Sequence, residues 1–159
     1  MATNNAINLG RNTFSAALSA TVANATGDVT AYTLICDTEL IDEGSCYNNA
    51  TGIYTVPVTG NYHFDLTCSL TNLQSNHTSG QIFISNGATN YLLYYINAYA
   101  CSSDLGAAGH YVSFSGGVTI PCTAADQISF KVVVAGGSKV VDIYDGNGYW
   151  TYCSGYQLL

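Results

Sequence analysis

Charge is what this sequence has least of. Only 8% of the residues are Asp, Glu, Lys or Arg, against the usual ~25% of a globular chain. Three are basic and ten acidic, for a net charge of −7. A chain so poor in cations has no electrostatic footprint for a phosphate backbone, which excludes nucleic acid and anionic lipid surfaces as expected partners. No apolar run approaches the ~20 residues of a spanning helix, so membrane insertion is excluded as well. The start, Met1 to Ile7, lacks the basic and apolar regions of a secretory signal. No C-x-x-C pair occurs among Cys36, Cys46, Cys68, Cys101, Cys122 and Cys153, which argues against a zinc cluster or a dithiol redox motif. The six leave disulfides and buried thiols both open.

Helical signals are also scarce, since no segment beyond two turns places apolar residues at i, i+3, i+4 and i+7 with caps. What fills the space is Gly, Ser, Thr, Asn and 13 Tyr, a mixture suited to turns and pleated surfaces. Alternation with period two recurs along the chain. Tyr62, Phe64, Leu66, Cys68 and Leu70 share one face of a strand, opposite Asn61, His63, Asp65, Thr67 and Ser69. Ile128, Phe130, Val132 and Val134 read the same way, and Val112 to Ile120 more loosely, with Gly116-Gly117 as an expected bulge or bend. Turn chemistry separates these runs at Thr26-Gly27-Asp28, Thr59-Gly60-Asn61, Ser85-Asn86-Gly87, Gly136-Gly137 and Asp145-Gly146-Asn147-Gly148. The length suits one domain, with residues 1–11 as a linker or lead-in and 12–159 as an all-β sandwich or barrel.

The stretch from Tyr47 to Phe64 places Tyr47, Gly52, Tyr54, Gly60, Tyr62 and Phe64 in the order aromatic, four residues, Gly-x-aromatic, five residues, Gly-x-Tyr-x-Phe. This spacing resembles the signature of the globular head of complement component one, subcomponent q, within the tumour-necrosis-factor-like jelly-roll superfamily. Thr13-Phe14-Ser15-Ala16 resembles that family's opening strand, and Ser154 to Leu159 its closing one. The family places proline directly before the second glycine, whereas Thr59 stands there and Pro57 comes earlier. That departure is more similar to bacterial and viral heads, including fibre and spike tips. Physically, Gly52 and Gly60 are expected to permit turn backbone at the two ends of a short strand, and Tyr54, Tyr62 and Phe64 to anchor the core between two sheets.

The resemblance implies a ten-strand jelly roll of two antiparallel sheets packed as a compact homotrimer, displayed on a virion surface or extracellularly. Its implied role is a receptor-binding or adhesion head, such as the tip of a viral or phage fibre or spike, recognising a host-surface glycan or protein. Two other roles stand beside it. One is a structural trimerisation cap or capsid or fibre decoration without a ligand, and the other a secreted pattern-recognition or cytokine-like ligand.

Candidate site residues follow from side-chain chemistry. Asp142, Tyr144, Asp145, Asn147, Tyr149 and Trp150 combine aromatic faces, hydrogen-bonding groups and glycines in a loop of the composition that recognition surfaces favour. The competing reading is that Trp150 and Tyr152 only lead into the last strand. The stretch Tyr91 to Ile96 is apolar on both faces, which fits a sandwich centre or an interface. Together with Tyr99, its Tyr91, Tyr94 and Tyr95 suit either a ligand groove or, by their low charge, a trimer seam. No catalytic residues are expected, because no nucleophile elbow or triad spacing occurs and His63, His77 and His110 read as structural. No cofactor is expected either. The carboxylates Asp37, Glu39, Asp42 and Glu43, and Asp142 with Asp145 and Asn147, have donors suited to calcium but lack the ordered spacing of a dedicated loop. The sequons at Asn24, Asn49 and Asn76 matter only on a glycosylating route.

Overall fold

The computed structural model describes residues 12–98, 100–101 and 110–158. The expected lead-in, 1–11, and Tyr99 lie outside the described residues. Among the described residues thirteen strands form two antiparallel sheets: β1 Thr13–Ala17, β2 Val22–Thr26, β3 Ala31–Thr33, β4 Thr38–Glu43, β5 Tyr47–Asn48, β6 Ile53–Thr55, β7 Gly60–Thr71, β8 Ser79–Ser85, β9 Asn90–Ile96, β10 Tyr111–Cys122, β11 Gln127–Ala135, β12 Val141–Ile143 and β13 Tyr152–Gln157. The number exceeds ten because short segments such as β3, β5, β6 and β12 make ladders of their own. The first sheet runs β2-β12-β7-β13-β1-β4, with β10 on the free flank of β7. The second runs β5-β6-β11-β8-β9, with β3 also on β11.

The alternation in β7 does what its period requires, turning Tyr62, Phe64, Leu66, Cys68 and Leu70 inward to exposures of 1% or less. From the facing sheet, Tyr54, Ile128, Phe130, Val132 and Val134 meet them. Aromatic rings dominate the contact. Tyr54 lies 4.8 Å from Phe14, 5.6 Å from Phe64 and 6.2 Å from Tyr62, in stacked and edge-on arrangements. Such ring pairs add roughly 0.5–1.5 kcal/mol each beyond the area they bury.

The two signature glycines serve different ends. Gly52 has φ +71°, and a Cβ there would run into the carbonyl oxygen of Leu34, so it meets the expectation of turn backbone before β6. Gly60 differs. It already belongs to β7, paired with Cys122, and a side chain there would press on the Gln157 amide. The Gly116-Gly117 bulge is likewise corrected, because β10 pairs with β7 from Tyr111↔Thr71 to Cys122↔Gly60 without a register shift. These glycines answer to crowding instead: Gly116 faces the backbone of Leu93, and Gly117 the carboxylate of Asp65.

The strands define two poles. At one, the Asn12 side-chain amide donates to Gln157 at 2.7 Å and the Leu158 amide to the Asn61 carbonyl at 2.8 Å, so both ends of the described chain lie together. At the other are Thr71, Tyr111 and Asp142, joined by the β7 pairings, together with the turns after β1, β7 and β11. His77 ties this second pole. Fully buried, it accepts the Gln74 amide on Nδ1 at 2.8 Å and donates from Nε2 to the Ser138 carbonyl at 3.1 Å, a pattern that only the neutral ring with its proton on Nε2 satisfies. His77→Leu is expected to lower stability by about 1–3 kcal/mol through the two stranded backbone groups, read from a urea denaturation midpoint. An unchanged midpoint would deny those bonds their role.

Candidate functional site

The late loop is held from beneath by polar contacts. Asp142 accepts the Asn24 backbone N–H at 2.7 Å on one carboxylate oxygen and the Asn72 side-chain amide at 2.6 Å on the other. It ties β12 to β2 and to the turn after β7 more than it offers an open ligand group. Asp145 exchanges two hydrogen bonds with Thr21, each at 3.1 Å, and its carboxylate accepts the Trp150 amide at 3.1 Å. Between these anchors Asn147 and Tyr149 take left-handed backbone, with φ of +61° and +56°, so the tip is a tight reversal that turns both side chains outward.

Above the anchors lies an aromatic group. Tyr144 stacks on Tyr111 with ring centres 5.1 Å apart and planes 6° from parallel. Trp150 stands edge-on to both, at 4.4 Å from Tyr111 and 5.5 Å from Tyr144. Gly146 lets the Tyr144 hydroxyl and the Trp150 indole nitrogen approach the backbone. Trp150 thus does more than lead into β13, which begins two residues later at Tyr152. Tyr111, 43% exposed, completes the group and is the member that sequence reading missed. Its only sequence signal is its place at the start of β10; the β7–β10 register is what carries it to this loop.

The tyrosine-rich strand proves to be an edge. Among the described residues β9 pairs with β8 alone, which argues against the sandwich-centre reading. Leu92, Tyr94 and Tyr95 stay exposed, Tyr91 is half-buried, and Tyr94 leans on Phe114 of β10 at 5.2 Å. Near this edge, the outer face of the first sheet carries a shallow depression of about 390 Å³ lined by Asp65, Thr67, Ser115, Gly117, Tyr152 and Ser154. A hydroxyl pair paves it, Thr67 with Ser115 at 2.6 Å. His63 bridges Thr119 at 2.9 Å and Asp65 at 3.2 Å on the same face.

The acidic residues between 37 and 43 do not converge. Asp37 accepts from the Ser19 amide, Asp42 accepts the backbone amides of Cys46 and Tyr47, and Glu39 and Glu43 are exposed on β4. Among the described residues no group of three metal-ligating side chains forms. All six cysteines are free thiols. Burial pushes Cys122 up to about 11 and moves Cys68 and Cys153 upward too, so these thiols stay protonated and serve as core hydrophobes more than as nucleophiles. Among the described residues no helix is long and apolar enough to cross a membrane.

A family model described as the C1q domain matches residues 13–102. No curated protein sequence matches the chain. Among solved structures, the globular domain of zebrafish complement 1qA protein superposes with a TM-score of 0.60 at 15% identity, covering 94% of this chain and 98% of that one. Murine APRIL gives 0.60 at 12% identity, with 93% and 99% covered. The vertex protein of PRD1 gives 0.55 at 11% identity, with 94% and 99% covered. At these identities the likeness establishes the fold, a jelly roll of two antiparallel sheets, over nearly the whole chain.

Proposed function

We propose, starting from the fact that this chain belongs to the C1q domain family, that it is a homotrimeric receptor-binding head, displayed on a virion surface or outside a cell. Its partner is a host-surface glycan or protein, met as at the tip of a viral or phage fibre or spike. The role is recognition without covalent chemistry, by loops carried on a rigid β scaffold.

The observation that carries the assembly is the exposed apolar edge of β9, where Leu92, Tyr94 and Tyr95 are 54%, 46% and 55% exposed. A monomer gains nothing from such an edge, and low charge with abundant tyrosine is the composition of a buried contact. The small-residue depression on the first sheet's outer face offers the matching seat. Edge and seat are different surfaces, so the contact is head-to-tail and closes into a ring, for which three-fold symmetry suffices. Tyr91 lies on the same strand and joins the seam. Three copies of each loop then turn weak single-site binding into useful avidity.

Light scattering on the purified chain tests the assembly. The expected mass is three times the 16.8 kDa protomer, and a monomer across concentrations overturns it. A trimerisation cap without a ligand gives the same mass but binds nothing, which the binding experiment below resolves.

A further inference from the structure

We propose that the pole opposite Asn12 and Leu158 is a binding site for an uncharged sugar, built from Tyr111, Tyr144, Asn147, Tyr149 and Trp150; this rests on the reading of the chain as a binding head. Three observations converge on it. The first is position. Asn12 and Leu158 lie together at one pole, while Tyr111 and the late loop occupy the other, so the site stands away from both ends of the described chain.

The second is shape. The parallel pair Tyr111 and Tyr144 with Trp150 across them forms a preassembled aromatic wall, and Tyr149, 50% exposed, stands on the loop tip beside it. Flat ring faces suit the C–H faces of a pyranose. The exposed Asn147 amide, which both donates and accepts, suits its hydroxyls. The loop is already ordered by the Thr21–Asp145 exchange and the Trp150–Asp145 bond, so little conformational entropy remains to be lost on binding.

The third is charge. Asp142 and Asp145 lie beneath the loop, and the described chain has no arginine. A sialylated or sulfated sugar would meet these carboxylates with no guanidinium and with Lys139, in the turn after β11, as the described cation at this pole, which favours the neutral class. Protein contacts commonly centre on an arginine or a deeply seated aromatic anchor; the rings here stand at the surface, and this favours a sugar over a protein.

The test uses the full chain, fluorescently labelled, on an array printed with galactose-, glucose-, mannose- and fucose-terminated oligosaccharides, their sialylated and sulfated counterparts, and glycoproteins before and after enzymatic deglycosylation. Binding to at least one neutral oligosaccharide is expected, competed by the same free sugar. Tyr149→Ala and Tyr111→Ala each lower it about tenfold or more, Tyr149→Trp retains it, and Val58→Ala at the opposite pole leaves it unchanged, with circular dichroism the same for all. Signal confined to acidic glycans, signal that survives deglycosylation of the glycoproteins, or no signal at all each overturns the inference. The light-scattering mass separates the two readings: a trimer that ignores neutral sugars sinks the site and keeps the assembly, whereas a monomer that binds them keeps the site and sinks the trimeric head.

Discussion

Tyr54→Ala is expected to lower the stability of this domain by about 4 kcal/mol, in the range of large aromatic truncations in close-packed cores. The ring is fully buried, stacks on Phe14 at 4.8 Å, and meets Tyr62 and Phe64 edge-on from the facing sheet. Phe14 is itself sandwiched between Tyr54 and Tyr47, so the cavity opens at the centre of a ring cluster held from several strands. A domain's whole stability is typically about 5–15 kcal/mol, and such a loss leaves little in reserve. Tyr54→Phe separates packing from polarity. It removes the hydroxyl's 3.3 Å bond to the Asn12 carbonyl and its contact with the Cys46 thiol, at a cost of about 1 kcal/mol. Urea denaturation at one fixed protein concentration measures both, since any assembly links stability to concentration. A Tyr54→Ala loss under about 1 kcal/mol would show that the cluster is not the centre of the core.

That centre is legible in the sequence alone. Tyr54, Tyr62 and Phe64 are named by the signature spacing, and the period-two pattern of β7 names the buried face, because side-chain direction in a strand is a local property. Gly52 was legible for the same reason, its left-handed backbone being required at the turn itself. What depends on pairing was not. Gly116-Gly117 reads locally as a break, yet the β7 register runs straight through it, and the glycines answer to Leu93 and Asp65, residues distant in sequence. Gly60 reads as a turn and proves to be the first residue of a strand. The aromatic site was half visible: Tyr144, Tyr149 and Trp150 are close in sequence, but Tyr111 arrives only through the pairing of β10 with β7. Asp142 reads as a ligand group by its chemistry, and only the positions of Asn24 and Asn72 show its carboxylate already engaged. The edge position of β9 is a topological fact, and a doubly apolar strand carries no local mark to distinguish a sheet centre from an unpaired flank.

That flank sets the other large expected effect. Tyr95→Glu is expected to convert the proposed trimer to a species of 16.8 kDa without unfolding the protomer. Tyr95 is 55% exposed within the protomer, so a carboxylate there remains hydrated in the separated chain, and circular dichroism should not change. In the proposed assembly the same carboxylate would be pressed against a neighbour whose depression is lined by Asp65 and by no Lys or Arg. Removing an unpaired charge from water costs several kcal/mol per ion, which weakens each contact by more than about a hundredfold, and the substitution acts at all three contacts of the ring at once. Val29→Glu supplies the contrast. Val29 is the more exposed residue at 67% but lies between β2 and β3, away from the β9 edge, and a carboxylate there should leave the mass at three protomers. Light scattering on the two variants therefore decides between a seam at β9 and some other contact. Dissociation by both, or by neither, would move the interface away from Leu92, Tyr94 and Tyr95, and with it the arrangement that presents the aromatic pole in three copies.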